Sequence, residues 1–116
     1  MITAEQAGRV AILESAVDIL ETKGWYQGGL HAEDGRSCIL GALSWAWLKQ
    51  VQAARLWDVL TDVARTLGYD PETVGRGWRG WLASWNDTAG RTAAEVVGVL
   101  RQTADRLRAT NQGELK

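Results

Sequence analysis

Apolar residues recur at intervals of three and four along most of this chain, a period that predicts helices. The first helix opens at Thr3-x-x-Gln6, a capping-box pattern, and carries Val10, Leu13, Val17 and Leu20 as its core stripe. Gly24 suits the left-handed position that ends a helix. The period then stops. Residues 24–36, Gly-Trp-Tyr-Gln-Gly-Gly-Leu-His-Ala-Glu-Asp-Gly-Arg, form a loop of about a dozen residues, and loops of that length are commonly functional. Ser37 is expected to cap a second helix beginning at Cys38, with Ile39, Leu40, Leu43, Trp47 and Leu48 on its apolar face. Gly41 and Ala42 are small enough for a neighbouring backbone to come close. A break near Lys49–Gln52 leads to a third helix with the stripe Leu56, Val59, Leu60, Val63 and Leu67, ended by Gly68. Asp70-Pro71 signals the start of a fourth, with Val74, Trp78, Trp81, Leu82 and Trp85 on one face. Gly75, Gly77 and Gly80 interrupt that helix, each at a cost of ~1 kcal/mol relative to alanine. A fifth helix runs from Thr92 to about Thr110, burying Ala93, Val96, Val97, Leu100, Ala104 and Leu107, with a fraying tail from Asn111. Strand alternation, internal repeats and domain linkers are absent from the pattern. The expected fold is all-α: one domain over residues 1–116, built as a bundle of about five helices.

Composition narrows the function. A chain of 116 residues suits a single core. A net charge of −1 argues against general nucleic-acid binding. The charge is uneven. Residues 1–34 hold six acids and two bases, while residues 76–108 hold six arginines and three acids. An internal electrostatic fit explains that, and so does an anionic ligand near the arginines. One cysteine permits no intrachain disulfide and fits a reducing cytoplasm. The apolar runs fall far short of the roughly 20 residues that span a bilayer, and the N-terminus lacks a signal-peptide pattern. The expected location is therefore cytoplasmic, with no membrane partner. Seven tryptophans without a phenylalanine are too many large rings for so small a core. Some are expected to line a groove or an interface. Trp45 and Trp47 fall on nearly opposite sides of the second helix, so one of them is expected to be exposed and available to a protein partner or a second copy.

Three segments carry a resemblance. They read GWYQG at 24–28, CILGA at 38–42, and WND with RTAAEV at 85–87 and 91–96. In this order and spacing they resemble an uncharacterised family of small proteins from actinobacteria, other bacteria and their phages, with the pattern G-W-x-Q-G, C-x-x-G-A, W-N-D and R-T-x-x-E-V. The likeness runs between residues 10 and 107 and is weaker between 49 and 80. It implies a shared fold and no known activity.

The same segments supply the candidate chemistry. Asn86, Asp87, Arg91, Thr92 and Glu95 read in two ways. In one they wire a structural turn: Asn and Asp bond to nearby backbone, Thr92 and Glu95 form a capping box, and Arg91 forks onto Asp87 or Glu95. In the other, the fifth helix's N-terminus is an anion site with Arg91 as its clamp. Cys38 at a helix start would have its pKa lowered. With His31 and an orienting Asn86 or Asp87 it forms the parts of a thiol nucleophile set. The bland reading, a small buried hydrophobe, is the commoner one. One His and one Cys do not give zinc spacing, and no cofactor is expected. The leading expectation is a non-catalytic binding module. Trp25, Gln27, Cys38, Trp85, Asn86, Asp87 and Arg91 would line a pocket for a nucleotide-like or other planar anionic ligand, between the 24–38 loop and the 85–95 turn. The alternatives are a protein-interaction or self-assembly module using exposed tryptophans, and a thiol enzyme using Cys38.

Overall fold

A computed structural model describes residues 3–70 and 78–113. Among them are five helices, α1 (Ala4–Lys23), α2 (Ile39–Leu48), α3 (Leu56–Thr66), α4 (Trp78–Asn86) and α5 (Ala93–Gly113), with no strand beyond two isolated bridges. The expected all-α bundle is what forms. Of the proposed start of the fourth helix, Asp70 is described and exposed, while Pro71, Val74, Gly75 and Gly77 lie outside the described residues. Gly80 sits within regular helix.

Helix α1 is central and packs against α2, α3 and α5. Its capping box is complete: the Gln6 amide N–H donates to Thr3 Oγ1 at 3.1 Å and the Thr3 amide N–H donates to Gln6 Oε1 at 3.0 Å. Neighbours on several sides bury Ile12, Ala16 and Ile19 beside the expected stripe, so periodicity showed only part of the buried surface. Gly24 ends the helix at φ 99° with an extended ψ of 160°, rather than in the left-handed helical region. One contiguous core joins α1 to Ile39, Leu43, Val59, Leu60, Val63, Leu82, Val96 and Leu100. Across the α1–α5 face, Arg101 pairs with Glu21 at 2.8 Å and Arg108 pairs with Glu14. That internal fit accounts for part of the charge asymmetry. Among the described residues, no helix is long and apolar enough to cross a membrane.

Several expectations are corrected. Cys38 caps α2, with Sγ accepting from the Gly41 amide at 3.3 Å, and Ser37 is fully buried just before it. Leu48 is exposed because α2 ends there and the chain turns away. Ala93 is exposed in the first turn of α5, before that helix reaches the core. Helix α5 extends to Gly113, three residues beyond the expected end near Thr110. Neither Trp45 nor Trp47 is exposed. Chain segments fold over both sides of α2: His31 stacks on Trp45, and Trp47 Nε1 donates to the Ala54 carbonyl at 3.0 Å. Among the tryptophans whose side chains are described, the exposed one is Trp57 on α3.

Candidate functional site

The 24–38 loop is closed by its own backbone. The Tyr26 amide donates to the Ser37 carbonyl at 2.9 Å, the Ser37 amide to Gly24 at 3.0 Å, the Ala32 amide to Arg36 at 2.8 Å, and the Cys38 amide to Leu30 at 3.0 Å. Asp34 grips Arg36 at 2.9 Å, which holds the Asp34 carboxyl below its ordinary range, and the Arg36 guanidinium lies over the Tyr26 ring. Loop and α2 meet so closely that a Cβ at Gly41 would overlap the Leu30 carbonyl and come within 2.9 Å of the His31 ring.

Asn86, the last residue of α4, fastens this loop from the other side of the sequence. Its side chain is fully buried. Oδ1 accepts from Trp25 Nε1 at 2.7 Å and from the Ile39 amide at 2.9 Å. Nδ2 donates to the Tyr26 carbonyl at 3.0 Å and to Asp87 Oδ1 at 3.0 Å. A primary amide has two acceptor positions and two protons, so all four are used. Two donors face one atom and two acceptors face the other, which fixes the amide's orientation. Gln27 Nε2 adds bonds to the carbonyls of Asn86 at 3.0 Å and Thr88 at 3.2 Å, and Asp87 Oδ1 also accepts from the Gly28 amide at 3.1 Å. The structure thus unites Trp25, Gln27, Asn86 and Asp87 in one clasp with the start of α2.

Arg91 serves the far side of the same turn. Its Nε donates to the Trp85 carbonyl at 3.0 Å, its guanidinium lies 4.1 Å from the Trp85 ring centre, and Nη1 meets Glu95 at 3.1 Å. Thr92 and Glu95 form a reciprocal capping box, with both amide bonds at 3.1 Å. Glu95 therefore places its own carboxylate against the N-terminus of α5. The Arg91 bond, followed by the Thr92 amide, holds that carboxyl below its usual range. Tyr26 and Thr88 take part in the wiring although the sequence did not single them out, and Ser37, expected only as a helix cap, joins them. They contribute mostly through backbone atoms, which no residue pattern advertises.

Cys38 and His31 are engaged separately. His31 Nδ1 pairs with Ser37 Oγ at 3.1 Å, and its ring stacks on Trp45 at 3.7 Å and 16°. The Cys38 thiol is buried, and that burial pushes its pKa up; bonds from the Gly41 and Leu40 amides oppose the shift without reversing it. The helix start was expected to lower it. A raised pKa means less thiolate at any given pH. Native protein at pH 7 is therefore expected to react with iodoacetamide at least about tenfold slower than the urea-unfolded chain. The native rate should climb only once pH passes the ordinary thiol range. Equal rates in the two states would show an accessible, activated thiol.

No characterised protein and no solved structure gave a match to this chain. A family model covers residues 5–106, nearly the whole of the described bundle. The chain accordingly belongs to a family of unknown function, DUF6197.

Proposed function

We propose that this protein is a non-catalytic binding module whose recognition element is the 24–38 loop, held in one conformation by the Asn86 clasp. The carrying observation is how the site spends its polar groups. Trp25, Gln27, Asn86 and Arg91, which a planar anionic ligand would need, all bond within the protein. The loop turns outward Leu30, half of whose surface is accessible, and the His31 ring stacked on Trp45. A rigid loop loses little conformational freedom on binding, and an apolar and aromatic surface suits a protein partner better than a nucleotide. The three motifs GWYQG, CILGA and WND–RTAAEV converge on this one clasp, which supports reading them as the family's marks. If the gene is carried by a phage, as the distribution of the family it resembles would allow, such a face would serve to block a host protein.

The test is to isolate the partner that co-purifies from the native host and measure its affinity for surface variants by calorimetry. Leu30→Asp should weaken it at least about tenfold, as loss of a central apolar anchor does, with the melting temperature unchanged. Undiminished binding by that variant would remove the loop from the interface. A bound species of a few hundred daltons in native mass spectrometry, lost on Arg91→Ala, would instead restore the small-ligand pocket.

A further inference from the structure

A second polar concavity lies between α1, α3 and α5 and shares no residue with the clasp. It has a volume of about 320 Å³ and is lined by Gln6, Arg9, Asp62, Arg65, Thr66, Thr103, Arg106 and Leu107. Arginines from three helices, Arg9, Arg65 and Arg106, therefore share this lining with one carboxylate, Asp62. That carboxylate is committed: Arg9 Nη1 donates to Asp62 Oδ1 at 3.1 Å and to Oδ2 at 2.9 Å. Arg65 meets Asp62 only at 3.9 Å, too long for a hydrogen bond, and most of its side chain is exposed. Arg9 Nη2 reaches Glu5 at 3.3 Å, while its buried Nε has no acceptor. The floor is polar as well, with Thr103 Oγ1 2.8 Å from Thr66 Oγ1.

We propose that this cleft binds a phosphate group, either as the free ion or as a small phosphomonoester. Three arginines stand against Asp62 and the Glu5 carboxylate that pairs with Arg9, a net of one positive charge that favours an anion, and arginine forks fit phosphate oxygens in pairs. The volume stands at the lower end of the range for small-molecule sites, enough for a phosphate and a modest organic remainder. The arginines project from packed helices rather than from a loop, so their backbone anchor points are set in advance of binding, and Arg9 is also held by Asp62. Asp62 does little to repel such a ligand. It is buried, its oxygens face Arg9, and burial pushes its carboxyl above the ordinary range despite the opposing pull of Arg9.

The experiment is an NMR titration of the ¹⁵N-labelled chain with inorganic phosphate and, separately, with a nucleoside 5′-monophosphate, at ionic strength held constant with chloride. Saturable shifts are expected at the Nε–H signals of Arg65 and Arg106. Arg65→Ala and Arg106→Ala should each weaken binding at least about tenfold, the scale of one lost charge-assisted contact. Arg65→Lys should recover only part of it, since lysine keeps the charge and loses the fork. Arg101→Ala, which removes an arginine paired with Glu21 outside the cleft, should bind as the wild type does. Monophosphate binding at least about tenfold tighter than phosphate would assign an ester as the ligand, and equal affinities would assign the free ion. Absence of saturation by about 10 mM of either probe, or an equal loss in Arg101→Ala, would overturn the site.

Discussion

Asn86→Ala should lower the melting temperature by roughly 15 °C, the largest effect expected of any single substitution in this protein. Truncation removes the partner of one buried group, the Ile39 amide, and of two part-buried ones, the Trp25 indole N–H and the Tyr26 carbonyl. Each orphaned buried group costs about 1–3 kcal/mol, and the space vacated by the amide adds to that. The sum is about 4 kcal/mol, and a chain of this length loses roughly 4 °C of melting temperature per kcal/mol. Asn86→Asp sharpens the test. It keeps an acceptor for Trp25 and Ile39 but replaces both donated protons with a charge beside Asp87, whose oxygen lies 3.0 Å from Nδ2. It should therefore be damaging near neutral pH and partly relieved in acid, where a protonated carboxyl again donates. Thermal melts at two pH values check both claims. A shift of only a few degrees for Asn86→Ala would mean that the clasp is peripheral to stability.

Gly41→Ala comes second, at about 2–3 kcal/mol. Alanine in place of a helical glycine ordinarily gains about 1 kcal/mol. Here the new methyl group would overlap the Leu30 carbonyl, the same oxygen that accepts from the Cys38 amide, and press on the His31 ring at 2.9 Å. Backbone cannot rotate aside as a side chain can. The loop must lift from α2, and the His31–Trp45 stack must open with it. The variant should therefore show both a lower melting temperature and altered tryptophan fluorescence. Gly98→Ala on α5 is the matched control. Nothing lies within 4 Å of the added atom, so the propensity gain should appear unopposed. If both variants are equally stable, the close approach at Gly41 carries no energetic weight.

These two positions also show what the sequence could convey. Both capping boxes were legible, because each is complete within four residues and depends on residue type alone. The small pair Gly41–Ala42 was legible as permission for close approach, though the approaching backbone was not identified. Asn86 was legible only as a choice between turn and site. Apart from the adjacent Asp87, the three partners of its side chain are 47 to 61 residues away, and two of those three are backbone groups. The tryptophans of α2 misled for a related reason. Periodicity places a ring on a helix face but does not reveal that residues 31 and 54 will return to cover it. The arginine cleft was the least visible, since Arg9, Arg65 and Arg106 share no local pattern.

The sequence separation within the clasp also bears on the order of folding. Closing a chain loop of some sixty residues costs entropy that no local contact repays in advance. The bond from Trp25 to Asn86 spans 61 residues, so the loop's final conformation awaits the docking of α4 against α2. Interactions that form after the folding barrier contribute to the unfolding rate and leave the folding rate almost untouched. Asn86→Ala is therefore expected to speed unfolding and to leave the refolding rate almost unchanged, as stopped-flow measurements in denaturant would read.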